Sequence, residues 1–282
     1  MAVTEADIPR IAKDSAAIYR KWQPLIDRYH GGVPSAMIAV RMKVESGGAM
    51  INLDTPGGGR LKEIGLLSVS ANQEKRFGVP DGTRRTAEGN VFLAATRYNV
   101  DTALFLKRYP GLAVSLADAY IFGAGLVSGI GIGAAYYLFD RAPRGKPYKE
   151  FADWVEREGL AGRLPTSGKQ WGSQSLATII YRVRAFQYMA EAAALAQSKY
   201  DVPNQADVPV VPPRPSWLTS FSLPNDAAGA LRMLSGGETP FIYRAPPNKP
   251  AARRGWIPAL VGVFTGVATG AVAVIFGRSG RS

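Results

Sequence analysis

The chain contains no cysteine and a single histidine, His30. The first absence excludes disulfide staples and thiolate metal sites. The second excludes metal centres built on paired imidazoles and argues against a Ser-His triad. His30 precedes Gly31-Gly32-Val33-Pro34, the context of a helix end or loop, and is read as structural. Neither a zinc-finger spacing nor a basic run interleaved with aromatics is present, so nucleic acid is not expected as a specific ligand. The opening residues, Met1 to Asp7, lack a basic start followed by an apolar core, so no signal peptide is expected. No metal or cofactor is expected. The run Gly57-Gly58-Gly59-Arg60-Leu61-Lys62 lacks the Gly-Lys-Ser/Thr of a phosphate loop.

What is present suffices for a packed domain with a tail. Of 282 residues, 46% are hydrophobic and 20% charged, and the net charge is +12. That excess favours polyanionic surroundings: nucleic acid, anionic lipid or an acidic cell wall. Three parts are expected. Residues 1–199 read as a helical globular domain. Residues 200–255 read as a proline-rich, extended linker, with Val208-Pro-Val-Val-Pro-Pro-Arg-Pro215 its densest stretch. Residues 256–277 read as a single transmembrane helix. Trp256 to Phe276 is uncharged, long enough to span a bilayer, and begins with an interfacial tryptophan. Within it Gly262, Gly266 and Gly270 share one face and would allow a second helix, from another copy or another membrane protein, to approach closely. Basic residues flank both ends, so orientation stays open. A second uncharged run, Ala119 to Phe139, is dense in glycine and is read as a buried helix followed by a close-packed turn, with membrane insertion the alternative.

Helical periodicity is expected over Ala16–Tyr29, Val33–Val44, Thr86–Tyr98 with Thr86 as N-cap, Val100–Arg108, Val114–Phe122 and Ser173–Ser198. Leu66–Ser70 is the exception and reads as a short hairpin arm. The fold class expected is mainly α.

The chemistry gathers around Met37-Ile-Ala-Val-Arg-Met-Lys-Val-Glu45-Ser46-Gly47-Gly48. An apolar helix runs into one glutamate and stops at small residues. A carboxyl in such a place can donate a proton near neutral pH if it is desolvated. Eighteen residues on comes Glu63-Ile64-Gly65-Leu66-Leu67-Ser68-Val69-Ser70. Then follow Asn90-Val91 with Tyr98, Ala119-Tyr120-Ile121-Phe122-Gly123, and a later helix with Thr178 and Tyr181-Arg182-Val183.

In that order these segments resemble the lysozyme-like lytic transglycosylase family, over about residues 26–183. The resemblance implies a lysozyme-like domain that cuts peptidoglycan glycan strands, with Glu45 as general acid and then base. It implies that the substrate's acetamido group assists and that a 1,6-anhydro ring forms, one of the exceptions to the two-carboxylate rule. By the same resemblance Ser46, Glu63, Gly65, Leu66, Ser68, Asn90 and Tyr120 would bind the sugar. Ser68 stands where the family has glutamine, and Ile121 where it has asparagine. The loop Asn52–Arg60, with Pro56-Gly57-Gly58-Gly59, is a cleft lid or a plain connection. Glu63 is either a second catalytic carboxylate, which would make a lysozyme-type hydrolase, or a surface partner of Lys62 or Arg60. The layout also suits a membrane-anchored phage virion protein that opens the host wall during genome delivery. A non-catalytic membrane-conduit component with a degenerate domain is the reading from another class.

Overall fold

The computed structural model describes residues 3–53, 63–203 and 209–235. Among them the chain is mainly helical and forms no strand. Trp256–Phe276, the glycines at 262, 266 and 270, and most of the loop at 52–60 lie outside the described residues. Within the described residues no helix is long and apolar enough to cross a membrane.

Helix α1 (Ile8–Tyr29) is amphipathic, and Ile11, Ala12, Ser15, Ala16, Ile18, Ile26 and Tyr29 form its buried stripe. It lies against α2 (Ser35–Ser46), which starts directly after Pro34. A short α3 (Ala71–Phe77) leads to α4 (Ala87–Arg108), the central helix. The spacing Thr86-Ala-Glu-Gly marks its start, because the Thr86 hydroxyl accepts from the Gly89 N–H at 3.0 Å. The expected helices at 86–98 and 100–108 are one uninterrupted element. It is buried on nearly every side, since α1, α3, α5 and α10 all pack around it.

Residues 116–139 contain α5 (Leu116–Tyr120), a π-helical turn (Ile121–Leu126), α6 (Val127–Ile130) and α7 (Ile132–Phe139). The uncharged run is therefore not one rod. Gly131, at φ 85°, breaks it between α6 and α7, and the π turn widens the helix facing α4. Next come α8 (Tyr148–Leu160) and α9 (Leu176–Tyr200), which Ser175 caps by accepting from Thr178 N–H at 3.2 Å.

Two cores result. The first joins α1, α2, the first part of α4 and the C-terminal half of α9, and is rich in alanine and aliphatic residues. The second joins the end of α4 with residues 112–155 and the start of α9, and is dominated by aromatic rings.

The expected linker is corrected in part. Residues 209–224 are irregular, as their prolines require, yet they pack on the helices. Val210 N–H bonds Gly31 O at 3.3 Å, Ser222 N–H bonds Phe77 O at 3.2 Å, and Phe221 meets Phe92 edge-on at 5.3 Å. Residues 225–235 form a further helix, α10 (Asn225–Ser235), lying on α4 with Ala227, Ala230 and Leu231 buried. Proline denied this stretch backbone donors but not apolar side chains, so the packed unit runs past residue 199 to 235.

Candidate active site

Helix α2 ends where it does because of two glycines. Gly47 takes the left-handed conformation (φ 66°), and its N–H reaches Lys43 O at 3.1 Å. Gly48 N–H reaches Met42 O, also at 3.1 Å. Side chains from Ser35 to Met42 are almost wholly buried, apart from Met37, while Glu45 in the last turn keeps 30% of its side chain exposed. Its carboxylate is paired at 3.1 Å with the guanidinium of Arg41, one helical turn earlier.

Facing this helix end is a tight turn closed by an antiparallel bridge between Ile64 and Val69. The expected hairpin arm is thus a single bridge. Gly65 leads the turn at φ 86°, and a β-carbon there would fall 2.1 Å from the Asn90 amide nitrogen. The glycine is required by both its backbone angle and its neighbour. Ser68, also at positive φ (50°), closes the turn half-buried, whereas Leu66 and Leu67 point into the core.

Two polar side chains fasten the turn. The Ser46 hydroxyl donates to Leu66 O at 2.9 Å, joining the helix that carries Glu45 to the turn. Asn90, wholly buried in α4, accepts from Leu67 N–H at 2.9 Å and donates to Ile64 O at 2.9 Å and Arg84 O at 3.0 Å. Both its amide hydrogens are consumed by backbone. Asn90, expected as a sugar ligand, is the residue that holds the turn. Behind it Arg84 and Glu74 form a buried ion pair at 3.1 Å, and Glu74 also accepts from Arg84 N–H at 2.8 Å.

Glu63 stands just before the turn. Its pKa is raised, first by burial and then by the negative charge of Glu45, against the lowering pull of Arg97 and Arg41. The structure therefore brings Glu45 and Glu63 within electrostatic reach of each other, with Arg41 acting on both. Arg97 is in turn paired with Asp101 at 3.4 Å, and Asp101 with Arg76 at 2.9 Å.

Along α2 runs a small, mostly apolar cleft lined by Met37, Arg41, Tyr98, Tyr120, Ile121 and Phe186, among others. Met37, Arg41 and Glu45 follow one another at four-residue spacing on one helix face; the first two line the cleft, and Glu45 lies one turn beyond Arg41, outside its lining. Tyr120 borders it with its ring. Its hydroxyl is committed to Asn99 Oδ1 at 2.7 Å, and Asn99 in turn bonds Ala95 O at 2.9 Å. His30 caps the end of α1 with its ring nitrogen 3.2 Å from Val33 O, the structural place expected for it.

Arg41, Arg97 and Phe186 were not singled out from the sequence as site residues. The Arg41–Glu45 spacing was a usable signal; the contributions of α4 and α9 had none. Among the described residues no group of His, Asp or Glu could hold a metal ion. No protein family, curated protein or solved structure matches this chain. The functional reading therefore stands on the residues and their geometry.

Proposed function

We propose that the chain is a peptidoglycan lytic transglycosylase with a lysozyme-like catalytic domain and Glu45 as its acid and base. One observation carries the reading. A part-exposed glutamate at the end of a buried helix is clasped, through Ser46 and Leu66 O, to a glycine-led turn, with a cleft running along the same helix face. In this reading Glu45, having first taken up a proton from solvent, protonates the glycosidic oxygen between N-acetylmuramic acid and N-acetylglucosamine. The bond from that oxygen to the muramyl C1 breaks, and the acetamido oxygen shields the cationic carbon. The Glu45 carboxylate then removes the proton of the muramyl C6 hydroxyl as its oxygen bonds C1, closing the anhydro ring without water. The sequence layout extends the proposal to a membrane-anchored virion protein that opens the wall for genome delivery.

A hydrolase is the second reading, and Glu63 favours it. Two neighbouring carboxyls, one with its pKa raised by burial and by the other's charge, are an arrangement that can divide acid and base roles.

The test is mass analysis of fragments released from purified peptidoglycan by the full chain. Anhydromuramyl ends, falling by about 10²–10⁴-fold in Glu45→Gln, are expected. Reducing ends that need Glu63 as well would replace the lyase with a hydrolase. No release by the folded chain from several wall types would turn the assignment to a non-catalytic conduit component.

A further inference from the structure

The buried cation of this site is unexplained by packing alone. Position 41 lies in the buried stretch of α2, one turn from Met37 and from Glu45, where an aliphatic residue would fill the space without desolvating a charge. Arg41 is instead 8% exposed. Its guanidinium lies 5.4 Å from the ring centre of Tyr98 on α4 and 5.4 Å from that of Phe186 on α9. Two aromatic rings from different helices restrict a planar group that also binds a carboxylate; an ammonium has no plane to restrict. The charged and titratable groups acting on it are Tyr98 on α4, Glu45 on its own helix and Glu63 before the turn; Arg97 on α4 acts on Glu63 in turn.

We propose that Arg41 is the positioning residue of this site: its ring-flanked guanidinium fixes the Glu45 carboxylate and supplies a permanent positive charge at the helix end to which the turn after Glu63 is fastened. The catalytic half of this proposal rests on the glycosidase reading; the electrostatic half does not. Arg41 does not react. It sets where the Glu45 oxygens stand and how readily Glu63 gives up its proton.

The full chain is compared with Arg41→Gln and Arg41→Lys. Glu63 is titrated through its ¹³C-labelled carboxyl resonance, identified by its disappearance in Glu63→Gln. Removing a cation that lowers the Glu63 pKa moves its midpoint upward in Arg41→Gln, and the lysine variant lies closer to wild type. An unmoved midpoint in folded Arg41→Gln overturns the proposal. On solubilised glycan strands, kcat falls by roughly 10²-fold with little change in KM, the size of effect a misplaced group produces. If the enzyme is the hydrolase, the pH–rate limb governed by Glu63 moves to higher pH, and lysine restores the limb but not the full rate. A loss that only follows the folded fraction, with the limb unmoved, overturns it as a merely structural role would. A wild-type chain without wall cleavage removes the enzymatic reading and leaves the carboxyl titration to decide. Should Arg41→Gln not fold, the lysine variant decides: wild-type rate and titration overturn the proposal, while a slowed but thermally stable enzyme supports it.

Discussion

The two cores solve different problems. The aromatic core is a lattice of rings. Phe122 stacks on Phe105 at 5.4 Å and meets Tyr148, Phe151 and Phe139 edge-on at 4.9, 5.0 and 5.5 Å. Two of its polar groups are turned to backbone, the Tyr148 hydroxyl on Val183 O at 3.2 Å and the Trp171 indole N–H on Pro165 O at 2.6 Å. The core around α1 and α2 is packed with small aliphatic residues, yet it admits buried Arg41, Asn90, Asn99 and the Glu74–Arg84 pair. Rings give adhesion with little directional demand, whereas buried hydrogen bonds fix a backbone segment to one position at the risk of leaving groups unpaired. The comparison teaches that ring packing dominates one half of the molecule and directional polar fastening the other.

Three substitutions sharpen or break this contrast. Phe122→Ala removes the ring at the centre of the aromatic lattice. A loss of about 3–5 kcal/mol is expected in denaturant melts, with the activity of each remaining folded molecule unchanged; a specific loss of activity would erase the division. Asn90→Ala leaves Leu67 N–H, Ile64 O and Arg84 O without their partner. It should cost about 2–3 kcal/mol, and wall cleavage should fall by more than the melt explains; activity that merely follows stability would make the polar core ordinary scaffold. Ser46→Ala is the mildest, at about 1 kcal/mol. Its sharper readout is amide exchange in the turn at 64–69, which should quicken while exchange in α8 stays as it was.

Legibility in the sequence divides along similar lines. Thr86 could be read as a cap because a helix start is a local event decided within four residues. The helix end at Glu45-Ser46-Gly47 and the Gly65 turn were visible for the same reason. What the clasp between them depends on was not. Asn90 reads as a sugar ligand from order alone, and only its surroundings show every polar atom already taken. The π turn at 121–126 carries no periodic mark of its own, since glycine and alanine suit several geometries and the packing against α4 and Phe186 selects one. Residues 209–235 were hidden by composition. Their prolines announce irregular backbone correctly, but Leu218, Phe221 and Leu231 find a surface that exists only once α4 is folded. Asn225-Asp-Ala-Ala-Gly-Ala-Leu did carry a helix-start pattern inside that composition.

Phe186 binds the two halves into one inheritance. A β-carbon at Gly129 would stand 2.2 Å from its ring and one at Gly125 3.0 Å, while the Arg41 guanidinium lies over the same ring in the cleft that both line. A lineage that gains a side chain at position 129 therefore has to shrink or reseat residue 186, and whatever it does there is felt at position 41. Positions 125, 129, 186 and 41 should drift together or not at all, so that descendants of this chain reveal the site by the changes they make in company.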